Sequence, residues 1–282
     1  MRVLLVPNTG NERALAAVAE LVTWLGGAGY EPILCEDDAQ ASGFVGAGVS
    51  RAAIGEPELA VALGGDGTIL KTVHLLDGAD TPVLGVNLGR LGFLAGAHAD
   101  DMREAVEAAL AGDVRVERRS TLVATAVVGG REAGRYVALN EVNVGRGPTG
   151  RAIEVEVRVN GSLLWRVLAD GIVVATPSGS TAYAMSAHGP LLAPDVRGNV
   201  LVPVAPHSLA SRPFVLGPSD IVEITTPVPS RADACLIIDG DSTPCRMALD
   251  SVTVTTGDRE VRLVRFEDSG FYDVVRETFL GG

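Results

Sequence analysis

Along the first part of the chain, short unbroken apolar runs alternate with stretches whose apolar positions recur every three or four residues. Val3-Leu4-Leu5-Val6 predicts a buried strand. Leu15, Val18, Val22 and Leu25 then fall on one helical face, and Gly26-Gly27 ends that helix. Glu58–Leu63 predicts a second strand, Ile69–Leu76 a helix, and Pro82–Val86 a third strand. Asp100 reads as an N-cap, with Met102, Val106 and Leu110 on the buried face and Gly112 closing the helix. Residues 37–57 are small, Gly-rich and aperiodic, which predicts a mobile connection. Strands alternating with helices imply a parallel sheet with right-handed crossovers.

Near residue 118 the pattern changes. Ile153, Val155, Val157 and Val159 alternate with Glu154, Glu156 and Arg158, the mark of a half-exposed antiparallel strand. Asn160-Gly161 follows as a hairpin signal, and Leu163–Leu168 returns. Further strands fit Ile172–Ala175, Asn199–Val204, Asp220–Thr225, Cys235–Asp239 and Ser251–Thr255. This half is expected to be all-β and sandwich-like. The tail from Arg262 to Phe279 predicts a short strand and then a helix.

Composition narrows what such a fold can do. The 282 residues suffice for one large or two medium domains. A net charge of −12 argues against a general nucleic-acid binder and against anionic membrane surfaces. Lys71 is the only lysine, so a Walker-type phosphate lysine has no place, and phosphate would be held by main-chain amides, arginines and metal. Cys35, Cys235 and Cys245 lack zinc-ligand spacing and suit reduced, mostly buried thiols. With a strand at the start and no long apolar stretch, the expected location is the cytoplasm. His74, His98, His188 and His207 show no ligand spacing.

The candidate chemistry begins where the Glu58–Leu63 strand meets Gly64-Gly65-Asp66-Gly67-Thr68. Glycines permit backbone angles closed to other residues and let a phosphorylated ligand approach the main chain. Helix-start amides supply donors for anionic oxygen. Asp66 repels phosphate, so it fits a magnesium partner or a base facing a hydroxyl; a plain helix cap is the alternative. Gly85–Leu94 leaves a strand end, where open α/β sheets bind ligands, or else is a connector. Asn140-Glu141 could read the two hydroxyls of a ribose, or be a polar strand end in solvent. Asp170-Gly171 precedes an apolar strand and the octapeptide Thr176–Tyr183, in which Pro177 and Gly179 set a sharp turn. There Ser178, Ser180 and Thr181 are expected to converge on one small volume, Ser180 could cap a helix, and Tyr183 offers a flat face for a base. Asp239-Gly240-Asp241 alone reads as a hairpin turn.

Taken in order, Gly64–Thr68, Leu84–Leu94, Leu139-Asn140-Glu141, Ala169–Tyr183, Pro206–Leu209, Arg212-Pro213 and Asp239-Gly240 resemble the NAD kinase family over nearly the whole chain. The Gly-Gly-Asp-Gly-Thr block alone gives a superfamily that includes lipid kinases. The resemblance implies an α/β N-terminal domain with a Rossmann-like parallel sheet (1–117 plus 262–282, the C-terminal tail returning to it). It also implies a β-sandwich dinucleotide-binding domain (118–261). The implied reaction moves a phosphoryl group from ATP or polyphosphate to the 2′-hydroxyl of the adenosine ribose of NAD, with a divalent metal (Mg or Mn) but no dedicated protein cage. Asp66 would be the proton acceptor. Asn140 and Glu141 would bind ribose or base, and Asp170 the nicotinamide side. Thr181, Ala182, Tyr183 and Ser186 would line the adenine and phosphate region, and Arg151 sits at a ligand-contacting position. The implied binding set also takes in Gly67, Phe93, Leu168, Ser178 and Asp241.

Four positions depart from the family pattern. Leu168 stands where many relatives carry a basic or polar residue, which predicts looser discrimination between NAD and NADH. His188 occupies a usual glycine position and is expected to alter the helix after Tyr183. Asp241 replaces a common glutamine, and Ser178 a threonine. Homodimers or homotetramers are implied, because family sites draw on a neighbouring subunit. The alternatives are a lipid kinase of the diacylglycerol or sphingosine type and a non-catalytic NAD(P)-binding sensor.

Overall fold

The computed structural model describes residues 1–89, 92–208, 210–227, 234–243, 248–266 and 270–280, with the backbone alone at Leu280. Arg90 and Leu91 of the second glycine-rich stretch, Leu209 of the Pro206–Leu209 motif, and Cys245 lie outside the described residues. The chain divides into two compact units, Met1–Arg118 with Val261–Gly282, and Arg119–Glu260.

The first unit is built on strands β1 (Arg2–Pro7), β2 (Glu31–Cys35), β3 (Gly48–Val49), β4 (Leu59–Leu63), β5 (Val83–Asn87), β6 (Ala97–His98), β7 (Arg115–Arg119) and β20 (Val261–Arg265). Their order is β3-β2-β1-β4-β5-β20-β7, with β6 also on β5. The pairs β1–β2, β1–β4, β4–β5 and β20–β5 are parallel. β4 and β5 are buried throughout, as expected of strands covered on both faces. One face carries α1 (Glu12–Gly27) and α4 (Met102–Ala111), which share a core with Val3, Leu5, Val61 and Val86. On the other lies α3 (Asp66–Leu76), where a Cβ on Gly85 would collide with Ile69. The tail forms α6 (Phe271–Val275) and a π-helical turn over Arg276–Leu280.

Several local expectations need correction. The buried face of α1 is Ala14, Ala17, Val18, Leu21 and Leu25; Leu15 and Val22 sit at its margins. Alanines let the helix lie close to the sheet, so the face centres on them. Asp100 is not an N-cap: Ala99–Asp101 is a 3₁₀ turn running straight into α4. Residues 37–57 are not a mobile connection. They hold α2 (Glu36–Ser42), β3 and two 3₁₀ turns. The buried Asp38 of α2 pairs with Lys71 of α3 at 2.5 Å, a tertiary contact that anchors a polar helix.

The second unit is a sandwich of two antiparallel sheets. Its strands are β8 (Leu122–Val128), β9 (Arg131–Ala138), β10 (Glu141–Arg146), β11 (Ile153–Val159), β12 (Ser162–Ala169), β13 (Gly171–Ala175), β14 (Asn199–Val204), β15 (Phe214–Leu216), β16 (Val222–Thr225), β17 (Ala234–Ile238), β18 (Asp241–Ser242) and β19 (Leu249–Thr256). One sheet runs β15-β14-β13-β10-β17-β18 and the other β12-β11-β16-β19-β8-β9. Inward residues of both, such as Val142, Val144, Val155, Val157, Ile172 and Val252, make one core. Asn160 and Gly161 take left-handed φ values of 51° and 78° in the β11–β12 hairpin, as the Asn-Gly pair predicts. The short helix α5 (Tyr183–Ser186) covers the outer face, where Ala184 and Leu192 pack on Val173, Val200 and Val202.

Candidate active site

β4 ends in Gly64-Gly65, and α3 begins at Asp66. Gly64 is bare because a Cβ would strike the Thr68 hydroxyl. Gly65 and Gly67 are exposed, and nothing stands within 4 Å of a Cβ on either. None of the three takes a left-handed φ, so here the glycines supply room and open access, not unusual angles. The turn at the head of α3 is therefore exposed and uncrowded, and the first amides of a helix lack intrahelical partners, which suits an anion.

Asp66 does not cap its helix. Its carboxylate accepts the main-chain N–H of Phe93 at 2.9 Å and of Leu94 at 3.1 Å. From the other side Arg265 donates to the carbonyls of Phe93 (3.0 Å), Leu94 (3.2 Å) and Ala95. Arg265 is in turn paired with Glu117 at 3.0 Å. Residues 93–95 are thus gripped by their amides and by their carbonyls, and the Asp66 carboxylate is held in one orientation. The Phe93 ring stacks on Phe279 at 5.5 Å and tilts against Phe271.

In the second unit, Asn140 and Glu141 open β10 and are buried, at 8% and 6% exposure, so they are not a strand end in solvent. Thr176 N donates to the Asn140 carbonyl at 2.9 Å, and the Thr176 hydroxyl to the Leu139 carbonyl at 2.6 Å. Gly179 has no side chain because a Cβ there would collide with the Asn140 carbonyl. The Asn-Glu pair and the hydroxyl-rich turn, some forty residues apart, are therefore one local structure. The Asn140 Oδ1 and Glu141 Oε2 atoms are buried without a hydrogen-bond partner. Burial pushes the Glu141 carboxyl up to about 7, the Asp239 carboxylate pushes it the same way, and the N–H of Tyr183 donates to it and pulls it down.

The three hydroxyls do not converge on a free volume. Ser180 is fully buried, donating to the Pro177 carbonyl (2.7 Å) and accepting from Leu192 N (2.9 Å), so it braces the turn and caps no helix. The Thr181 hydroxyl donates to the Ser178 carbonyl at 3.0 Å, and Arg119 donates to the Ser178 hydroxyl at 3.3 Å. Ala182 is half-buried, while Tyr183 and Ser186 are exposed. At the far end of the β10–β13 ladder, Gly145 faces Gly171, and Asp170 pairs with Arg146 at 3.0 Å. Strand rise puts that end about 13 Å from Glu141. Leu168 and Arg151 are exposed, on β12 and in the loop before β11, and Asp241 is exposed on β18.

One residue outside the expected set stands out. Asp239 accepts N–H bonds from Leu139 (2.8 Å), Asn140 (2.7 Å) and Glu141 (2.9 Å). In the sequence it is marked by the Asp-Gly of a turn and by its place, with Gly240, in the series of motifs, neither of which assigns it a role.

Residues 3–114 match the model of the ATP-NAD kinase N-terminal domain, and residues 139–266 that of the ATP-NAD kinase C-terminal domain. An NAD kinase of Desulforamulus reducens is 34% identical over 275 residues, covering 97% of this chain and 95% of the relative. The chain belongs to the NAD kinase family. An NAD kinase of Heliobacterium modesticaldum is 40% identical over 225 residues, 80% of this chain and 79% of that one. Among solved structures, an NAD kinase from Archaeoglobus fulgidus in complex with ATP has a TM-score of 0.73 at 26% identity, covering 99% of this chain and 97% of its own. Yeast NADH kinase complexed with NADH has a TM-score of 0.84 at 23% identity, covering 100% and 87%, and shares the fold. The α/β unit followed by a β-sandwich is the NAD kinase fold, and the activity of this chain is phosphoryl transfer to NAD. Neither a lipid kinase nor a non-catalytic sensor is favoured.

Proposed function

We propose that Asp66 accepts the proton of the adenosine 2′-hydroxyl of NAD as the terminal phosphoryl group of ATP moves to that oxygen. The O–H bond breaks, a new P–O bond forms, ADP leaves with the old bridging oxygen, and the proton rests on the Asp66 carboxylate. The observation that carries this reading is the double N–H grip of Phe93 and Leu94 on Asp66, at the head of a helix whose glycines Gly65 and Gly67 are exposed. Phosphoryl transfer asks for positioning and charge neutralisation, and both are supplied by such a turn. Exposed Gly67 and the half-buried Phe93 adjoin it.

In the sandwich (118–261), Asn140 and Glu141 are assigned to ribose or base, and Asp170 to the nicotinamide end. Thr181, Ala182, Tyr183 and Ser186 are assigned to adenine and phosphates, with Arg151, Leu168, Ser178 and Asp241 around them. The orphaned Asn140 Oδ1 and Glu141 Oε2 support the first assignment, because buried polar atoms without partners are costly unless a ligand satisfies them. The α/β part (1–117 plus 262–282) is assigned the phosphoryl-transfer turn. ATP as donor is supported by the domain description and by the ATP complex of the archaeal relative, with polyphosphate the other candidate.

Among the described residues no group of three or more His, Cys, Asp or Glu is gathered to hold a metal ion. Both oxygens of Asp66 already accept main-chain bonds. A cage for magnesium or manganese is thus not gathered among the described residues. Such an ion is commonly held by nucleotide phosphates and water, and no step is assigned to it. Exposed Phe214 and Val215 on strand β15, at the edge of its sheet, support a homodimer or homotetramer, which sedimentation tests. Among the described residues no helix is long and apolar enough to cross a membrane. The free thiols Cys35 and Cys235 suit a cytoplasmic setting, which fractionation of cells tests.

The direct test is Asp66→Asn. NAD binding is expected to survive while turnover falls about 10²–10⁴-fold. Turnover near the wild-type rate would remove Asp66 from the base role.

A further inference from the structure

The hairpin that joins β17 to β18 does more than reverse the chain. Asp239 and Gly240 take left-handed φ values of 49° and 87°, which turns the Asp239 side chain back over the start of β10. Its main-chain N–H donates to the Glu141 carbonyl at 3.0 Å. Its carboxylate collects the N–H groups of three consecutive residues, Leu139, Asn140 and Glu141, at 2.7–2.9 Å. A carboxylate is acceptor-only, with about four lone-pair sites, so it takes three donors without presenting one of its own. An amide would point its own N–H groups at some of them.

We infer that Asp239 is a positioning residue for the NAD kinase reaction, acting through Asn140 and Glu141. Fixing the three amides fixes the bend from which both side chains project. The second consequence is electrostatic. Of the elements packed on Glu141, the hairpin brings the Asp239 charge, α5 brings the Tyr183 N–H, and β13 brings the uncharged Ala175 opposite it. Asp239 thus opposes ionisation of Glu141, in the same direction as burial, until a ligand hydroxyl compensates. An ionised Glu141 accepts from a ribose hydroxyl, so NAD capture rises with pH as Glu141 loses its proton. The role rests on the reading that Glu141 contacts the dinucleotide.

The test follows kcat/KM for NAD from pH 5.5 to 8.5 in the full-length enzyme and in the variants Asp239→Asn, Asp239→Ser and Glu141→Gln. The wild type should lose activity below a midpoint near 7. Asp239→Asn and Asp239→Ser should raise KM for NAD about tenfold, leave KM for ATP alone, and move that midpoint down by about one pH unit. Glu141→Gln should raise KM for NAD and abolish the midpoint. A general loss of activity with the midpoint unmoved would overturn the positioning role, as would failure of both Asp239 variants to fold, since either makes Asp239 a purely structural brace. If Glu141→Gln leaves KM and the profile unchanged, it is the dinucleotide contact itself that fails.

Discussion

The space that a side chain on Gly92 would fill is taken by the carboxylate of Asp66. A Cβ there would overlap both oxygens and the carbon between them. The approach is this close because the next two amides donate to those oxygens. Gly92 is thus the condition for the orientation of Asp66, although it carries no chemistry.

Gly92→Ala should therefore behave like a weakened Asp66 variant. Displacing a reacting group by about 1 Å can cost about 10²-fold in rate. The expected result is a kcat loss of that order with circular dichroism and NAD affinity retained. Wild-type kcat would mean that the carboxylate can work from another position.

Glu141 predicts an unusual pH dependence of stability. A carboxyl lifted from 4.5 to about 7 binds its proton more tightly in the folded state. Between about pH 4.5 and 7 the native form then holds more protons than the unfolded one, so this group makes the apo protein less stable as pH rises. The full swing is about 3 kcal/mol. In denaturant titrations the unfolding free energy of the wild type should fall from pH 5 to pH 8 by about 2–3 kcal/mol more than that of Glu141→Gln, with the glutamine variant the more stable partner at pH 8. Parallel curves for the two proteins would show that Glu141 titrates normally.

His188 predicts a stabilising substitution. It follows α5 with φ of 64°, in the left-handed region where a side chain costs roughly 1–2 kcal/mol. A glycine there would avoid that strain. His188→Gly should raise the unfolding free energy by about 0.5–1 kcal/mol, since glycine gives part of the gain back as unfolded-state entropy. A drop in the melting midpoint would mean that the imidazole makes a stabilising contact.

Leu168 predicts relaxed cofactor choice. It is exposed on β12, opposite Glu154, and its side chain carries neither charge nor hydrogen-bonding group. The ratio of kcat/KM for NAD to that for NADH should be small and should rise several-fold, within about 1 kcal/mol, in Leu168→Arg. A large NAD preference in the wild type would count against this role.

Much of the architecture was legible from the chain. The buried runs of β1, β4 and β5 read as parallel strands, because covering both faces leaves no polar alternation. The alternation of β11 and the Asn160-Gly161 turn read as a hairpin for the opposite reason, one face being wet. Strand β9, Arg131–Ala138, was not legible: it is a largely exposed edge strand without regular apolar alternation, held by its ladder to β8. Helix α2 was hidden likewise, since it buries only Ala39 and an aspartate, Asp38, whose partner, Lys71, is remote in sequence.

The site divides in the same way. Residue types at short spacing mark Asp66, the Asn140-Glu141 pair and the Thr176–Tyr183 turn, because glycines, hydroxyls and paired polar groups are local requirements of phosphate and ribose recognition. Family and reaction follow from those motifs in order. Which oxygen meets which amide does not. The grip of residues 93 and 94 on Asp66, the seam between Asn140 and Thr176, and the reach of Asp239 to three amides some hundred residues earlier exist only once distant strands lie side by side. Hydrogen bonds act over about 3 Å whatever the separation along the chain, so tertiary folding alone decides which groups come within that range.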